Sequence, residues 1–253
     1  MIPRLLILNL ALILLVGCIQ PPLPDKSVSD VSFASDDGIK LAGTLYLPPA
    51  AADSTTAAEF PAVVLAHMYQ NNRQSWDSFA RKLAEWGYVT LTFDFRAWGN
   101  SGGDKADILH HYLDVLAAVD YLRNLNAVDS TRIAVAGASM GGMAAIEAAV
   151  VDSGIAAVAA ISTPHSWMGS EPMNVIDKIS PRPILIVAAL KDPHLTLRAA
   201  EQNFLRAKEP KEWVVIDVAR HGTDIFATDK APELKKILLD FLDRRLKNSP
   251  HSP

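Results

Sequence analysis

Between residues 31 and 218, short apolar runs alternate with longer stretches in which apolar side chains recur every three or four positions. The runs Val31 to Ser35 and Leu41 to Leu47 flank Asp37-Gly38, a dipeptide that favours tight hairpin turns, and predict an antiparallel pair at the start of the fold. Further runs follow at 62–67 (AVVLAH), 89–93 (VTLTF), 133–136 (IAVA), 156–161 (AAVAAI), 184–188 (ILIVA) and 213–218 (WVVIDV). They lack the polar alternation of a strand with one wet face, so they predict strands covered on both sides. Helical periodicity occupies the intervals. It is clearest from Asp107 to Arg123, where Ile108, Tyr112, Val115, Leu116, Val119 and Leu122 share a face. Helices are also predicted over 75–85, 141–151, 196–207 and 232–246, with a surface loop over 50–59. This alternation predicts an α/β fold: a mainly parallel, eight-stranded sheet with helices on both faces, opened by an antiparallel hairpin. No internal repeat or second domain is visible.

The first 17 residues follow a different pattern. Arg4 precedes an apolar run, Leu5 to Val16, whose one polar member is Asn9. A helix that crosses a bilayer needs ~20 apolar residues, so this shorter run reads as the core of an export signal. It ends in Leu15-Val16-Gly17-Cys18, which resembles the lipobox of bacterial lipoprotein precursors. The resemblance implies cleavage before Cys18, acylation of its thiol and of the new amino group, and a lipid-anchored place in the bacterial cell envelope, on a periplasmic or extracellular face. Residues 18–29, with Pro21, Pro22 and Pro24, then form a stiff tether. A single domain is expected over 30–246, and a polar tail over 247–253.

Composition narrows the chemistry. With 49% hydrophobic and 21% charged residues, the 253-residue chain is too apolar for a disordered protein. Its one cysteine excludes an intramolecular disulfide and a cysteine-based metal cage. The net charge of -4 becomes -5 once Arg4 leaves with the leader, and Lys and Arg are scattered, so no nucleic-acid partner is expected. No metal is expected either, since His110 and His111 are neighbours on a helix and point in different directions, unlike ligands four residues apart. No cofactor is expected.

The reactive residues cluster at strand ends. The run 133–136 leads into Gly137-Ala138-Ser139-Met140-Gly141-Gly142 and then an alanine-rich helix. G-x-S-x-G between a strand and a helix is a nucleophile elbow: the turn is so tight that small residues must flank the serine. A serine hydroxyl is a weak nucleophile and needs a base, which in turn needs an orienting acid. Of the later histidines, His251 lies in the polar tail, whereas His221 follows the last strand; His194 is the remaining competitor. Asp192 follows the run 184–188 directly, and the end of 156–161 offers no carboxylate. Ser139, Asp192 and His221 are therefore the expected catalytic set. The oxyanion donors are expected to be the main-chain N–H groups of Met140 and, from the loop after 62–67, Tyr69, with Met68 as the alternative.

The residues carry a resemblance to the α/β-hydrolase superfamily. Asp94-Phe95-Arg96-Ala97-Trp98-Gly99-Asn100-Ser101 is similar to the D-x-R-G-x-G-x-S segment after its fourth strand, with Ala97 in place of a glycine. His67-Met68-Tyr69 is similar to its His-Gly-x loop, with Met68 in place of the glycine, and the stretch from Ser35 to Pro48 is similar to the first hairpin of esterases, dienelactone-hydrolase-like proteins and serine peptidases of that fold. The resemblance spans roughly residues 30–246 and implies the same Ser139, Asp192 and His221 triad. Asp94 and Arg96 are expected to shape the loop beside the site, and His67 to brace its own loop.

About 20 residues, Ser162 to Arg182, separate two strands where such proteins insert a cap, too few for a large cap domain. Trp167 and Met168 in that insert, with Met68, Tyr69 and Trp98, are candidate walls of an apolar pocket. Serine at the elbow implies cleavage of a small-molecule carboxylic ester or thioester through an acyl-enzyme. The alternatives are a serine peptidase or acyl-peptide hydrolase, and a non-catalytic lipoprotein that binds acyl ligands.

Overall fold

A computed structural model describes residues 27–52, 59–104 and 109–247. The leader, Cys18 and the polar tail from residue 248 lie outside the described residues. Eight strands form one sheet: β1 (Val28–Ala34), β2 (Lys40–Tyr46), β3 (Phe60–Ala66), β4 (Val89–Phe93), β5 (Val128–Ala138), β6 (Ile155–Ile161), β7 (Ile184–Ala189) and β8 (Lys211–Ile216), in the order β1-β2-β4-β3-β5-β6-β7-β8. β1 and β2 are an antiparallel hairpin, β2 runs antiparallel to β4, and all other neighbours are parallel.

Alternate residues of the apolar strands feed two separate cores, which is why those runs show no polar positions. Val64, Val135, Val158 and Ile186 pack with helices α3 (His111–Arg123), α4 (Met140–Val151) and α5 (Thr196–Arg206). Leu65, Ala134, Ala136 and Val187 face the other way, against α2 (Asp77–Glu85) and α6 (Ala231–Leu242). Helix α4 is buried on nearly every side, since it sits on the sheet between α3 and the segment after β6. That accounts for a run of small apolar residues in place of an amphipathic stripe.

Several boundaries differ from the sequence pattern. Residues 50–59 open with one helical turn, α1 (Pro49–Ala52). Helix α3 starts at His111, and Ile108, the first member of its expected stripe, lies outside the described residues. The helix expected over 232–246 changes at Asp243 into a wider π-type turn that runs to Lys247. β8 leaves the ladder at Ile216, because the Val218 N–H turns back onto the Ile216 carbonyl at 2.9 Å. Past that turn the segment stays tied to the chain after β7, the Val218 carbonyl accepting the Lys191 N–H at 3.1 Å and Asp217 pairing with the Lys191 ammonium at 2.7 Å. The segment between β6 and β7 carries two short 3-10 turns, 172–174 and 176–179, and no cap domain.

Candidate active site

The chain order reverses around β3, with β4 on one side of it and β5 on the other, so the loops at the carboxyl ends of β3 and β5 diverge and leave a crevice. Ser139 stands there, at the end of β5. Its φ of 51° and ψ of -115° lie where an L-residue rarely goes. Its N–H donates to the Ile161 carbonyl at 2.8 Å, and its carbonyl accepts from Gly142 and Met143 at 3.0 and 3.1 Å. Two glycines make the turn possible: a side chain on Gly137 would collide with the Gly141 backbone, and one on Gly141 with the Ala66 and His67 carbonyls. The second contact seats the start of α4 directly on the end of β3.

Asp192 and His221 form the pair that the sequence predicts. His221 Nδ1 lies 2.8 Å from Asp192 Oδ2 and 3.0 Å from Oδ1. Asp192 also accepts the His194 N–H at 2.8 Å and the Thr196 hydroxyl at 2.7 Å. Burial alone would raise the Asp192 carboxyl, but the hydrogen bonds from His221, Thr196 and the His194 N–H outweigh it and hold the group below the usual carboxylate range. An ionised carboxylate only accepts, so Nδ1 carries the proton and Nε2 is left as the basic nitrogen. The His221 loop reaches the elbow through Gly222, where an added Cβ would lie 3.3 Å from Ala138 Cβ. Among the described residues no hydrogen bond joins Ser139 Oγ to His221, a bond that resting enzymes often leave long until substrate binds.

The loop after β3 is fixed by His67, which is fully buried. Its Nε2 receives the Phe95 N–H at 3.1 Å and must therefore be the acceptor; Nδ1 carries the proton and donates to the Met68 carbonyl at 2.7 Å. Burial pushes the imidazole down to about 4, so the ring is neutral. The Met68 carbonyl also accepts from Asn71 at 3.2 Å. In a trans peptide the N–H points opposite to the C=O, so these two bonds also aim the Tyr69 N–H. Neither Tyr69 N–H nor Met140 N–H donates a hydrogen bond among the described residues.

Asp94 and Arg96 brace the next loop. Asp94 accepts the N–H groups of Arg73 and Asn100 at 2.8 and 2.9 Å and the Arg73 guanidinium. Arg96 binds Asp114 at 2.7 and 2.9 Å and Asp37 at 2.7 and 3.1 Å. Ala97 takes the left-handed φ of 63° that a glycine would hold more easily. Sequence reasoning missed Arg73, Asp114, Asp37 and Thr196. Asp37 was read as a turn residue alone, and Asp114 left a trace, four residues before Ala118 and eight before Leu122 on a helix face that turns out to be buried.

The candidate pocket residues divide into two groups. The Tyr69 ring stands edge-on to Trp98 and Trp167, with centroids 5.1 and 4.7 Å apart, on the side of the α3 and α4 core. Met168 is exposed at the tip of the turn that joins Trp167 to Ser170. Met68 packs on the opposite side, against the core that contains Ala138, Val218 and Ile225. The His194 ring stands edge-on to the His221 imidazole, with ring centroids 4.5 Å apart.

Sheet order, elbow and acid-histidine pair together are those of the α/β-hydrolase fold. Within it, the chain belongs to the X-Pro dipeptidyl-peptidase (S15) family, whose sequence model matches residues 37–174. The uncharacterized protein YcjY of Escherichia coli is 35% identical over 138 residues, which make up 52% of this chain and 44% of that protein, so the match spans under half of that relative's length. Among solved structures, the α/β hydrolase GrgF from Penicillium superposes with a TM-score of 0.76 at 20% identity, over 87% of this chain and 99% of its own. The Pyrococcus furiosus esterase Pf2001 does so with a TM-score of 0.70 at 24% identity, over 87% and 93%. At such identities the likeness establishes the fold.

Proposed function

We propose that this hydrolase cleaves small-molecule carboxylic esters or thioesters through an acyl-enzyme on Ser139. The observation that carries the reading is the Asp192–His221 pair, with Nδ1 protonated and Nε2 free, on a loop that meets the strained Ser139 elbow where Gly222 nears Ala138. His221 takes the Ser139 proton as the hydroxyl attacks the acyl carbon, then returns it to the leaving alcohol or thiol. The N–H groups of Met140 and Tyr69 receive the oxyanion, each worth on the order of 3 kcal/mol in the transition state. Water repeats the sequence and frees the acid. Tyr69, Trp98 and Trp167 offer an aromatic wall for an apolar acyl or aryl group.

Family membership favours peptide cleavage as the second reading. A dipeptidyl-peptidase needs a free carboxylate for the substrate's amino terminus, and the buried carboxylates at this end of the sheet, Asp94, Asp114 and Asp192, are already held by Arg73, Arg96 and His221. Esters and thioesters therefore rank first. We further propose that Cys18 carries acyl chains that tether the enzyme in the bacterial envelope; its support is the sequence around that residue, and no helix among the described residues is long and apolar enough to cross a membrane.

The deciding measurement is a panel of p-nitrophenyl esters, thioesters and peptide amides, run on the enzyme and on Ser139→Ala. The substitution should lower ester turnover by at least about 10⁴-fold. Retained ester turnover would remove Ser139 from the mechanism, and amide turnover above ester turnover would put the peptidase reading first.

A further inference from the structure

Met68 stands where the family resemblance leads one to expect glycine, and its side chain lies between the two loops that the reaction must hold in register. Its carbonyl is tied to His67 and Asn71, which aims the next N–H, that of Tyr69. Its sulfur lies 2.9 Å from the position a Cβ would take on Gly222, the residue after His221. The Cβ of Ala138, the residue before Ser139, lies 3.3 Å from the same point. One thioether thus fills the space where the β3 loop and the β8 loop meet the elbow. From the other side, the His221 loop is held by the Asp192 carboxylate. Gly222 has no side chain with which to fill that space itself.

We propose that Met68 is a positioning residue whose side chain sets the spacing between the His221 loop and the oxyanion donor Tyr69. The inference rests on reading Ser139, Asp192 and His221 as the triad. Met68 acts through its neighbours, by bulk: shortening it opens a gap beside Gly222 into which the histidine loop relaxes. A displacement near 1 Å at reacting groups lowers rate about 100-fold, while the substrate-binding wall formed by Trp98 and Trp167 stays in place.

The test compares Met68→Leu, Met68→Ala and Met68→Gly in the full chain, with kcat and KM for a p-nitrophenyl ester and the rate of Ser139 labelling by a fluorophosphonate. Met68→Ala and Met68→Gly should lower kcat about 10- to 100-fold with KM within about twofold, and labelling should slow in parallel; Met68→Leu, which keeps the bulk, should stay within about threefold of the parent. Unchanged kcat in Met68→Ala overturns the proposal. So does a rise in KM alone, which would make Met68 a substrate contact, or a Met68→Leu loss equal to that of Met68→Ala, which would make the sulfur and not its volume the active feature. Should Met68→Gly lose cooperative unfolding, Met68→Ala and Met68→Leu decide. A parent enzyme that neither turns over ester nor labels would sink the triad reading itself, whereas an active parent with unaffected variants sinks only the role of Met68.

Discussion

His67 shows how much one buried residue settles. A neutral ring with an acceptor at Nε2 and a donor at Nδ1 ties the Phe95 N–H to the Met68 carbonyl, and so joins the loops after β3 and β4. Burial pushes His67 down to about 4, and burial together with the Arg96 charge pushes His111 to about 3, both from an ordinary value of 6.5. Depressed histidines contribute stability that is complete above pH 6.5 and is lost as pH falls toward about 4, because the unfolded chain binds protons that the folded one refuses. From pH 7 to pH 5 the loss should be about 2 kcal/mol from His67 alone, read as a falling urea midpoint. Carboxylates held low, such as Asp37 at about 2, add their loss only below about pH 4. A midpoint that stays flat between pH 7 and 5 would contradict the neutral, buried ring. The sequence placed His67 beside the site and assigned it a bracing role, but its protonation state depends on what encloses it. The same holds for His194, which competed with His221 in sequence: only the structure shows that its N–H serves Asp192 while its ring stands edge-on to the His221 imidazole.

Between elements, the loop after β4 is fastened to the hairpin and to α3 through Arg96. Its guanidinium is almost fully buried and is shared by Asp114 of α3 and by Asp37 in the β1–β2 turn. Replacing it by methionine leaves Asp114 buried without a counter-charge, which should cost about 3–5 kcal/mol and appear as a lowered denaturant midpoint. A loss below about 1 kcal/mol would mean that the loop is held by its main-chain bonds. The strands were legible because an apolar run without alternation has few other uses, and the elbow because glycine at Gly137 and Gly141 is forced by contacts within a few residues and with the neighbouring strand end. Helix ends were less legible. α6 widens into a π-type turn at Asp243, and β8 stops at Ile216 on a local turn that no hydrophobic pattern records.

For the whole molecule, the sheet separates the entry of the chain from its chemistry. Val28 lies opposite Tyr46, which lies opposite Thr90 near the start of β4, whereas Ser139, Asp192 and His221 all follow the carboxyl ends of parallel strands. A tether from Cys18 would therefore meet the fold at the end of the sheet opposite the loops that carry Ser139, Asp192 and His221. Mass spectrometry of the mature amino-terminal peptide, residues 18–26, should find acyl additions that vanish in Cys18→Ala; an unmodified peptide in membrane fractions would sink the anchor. The sequence alone determined the α/β architecture and the elbow, and it singled out Asp192 and His221 as a pair, because those depend on local periodicity, on the small residues a tight strand-to-helix turn demands and on where polar residues follow strand ends. The tertiary structure alone decided which nitrogen of His221 faces Asp192, which buried arginines hold Asp94 and Asp114, and against which core Met68 and Tyr69 fall. Those outcomes depend on distances between residues far apart in the chain, set by how the two cores pack on the sheet, and no short stretch of sequence encodes them.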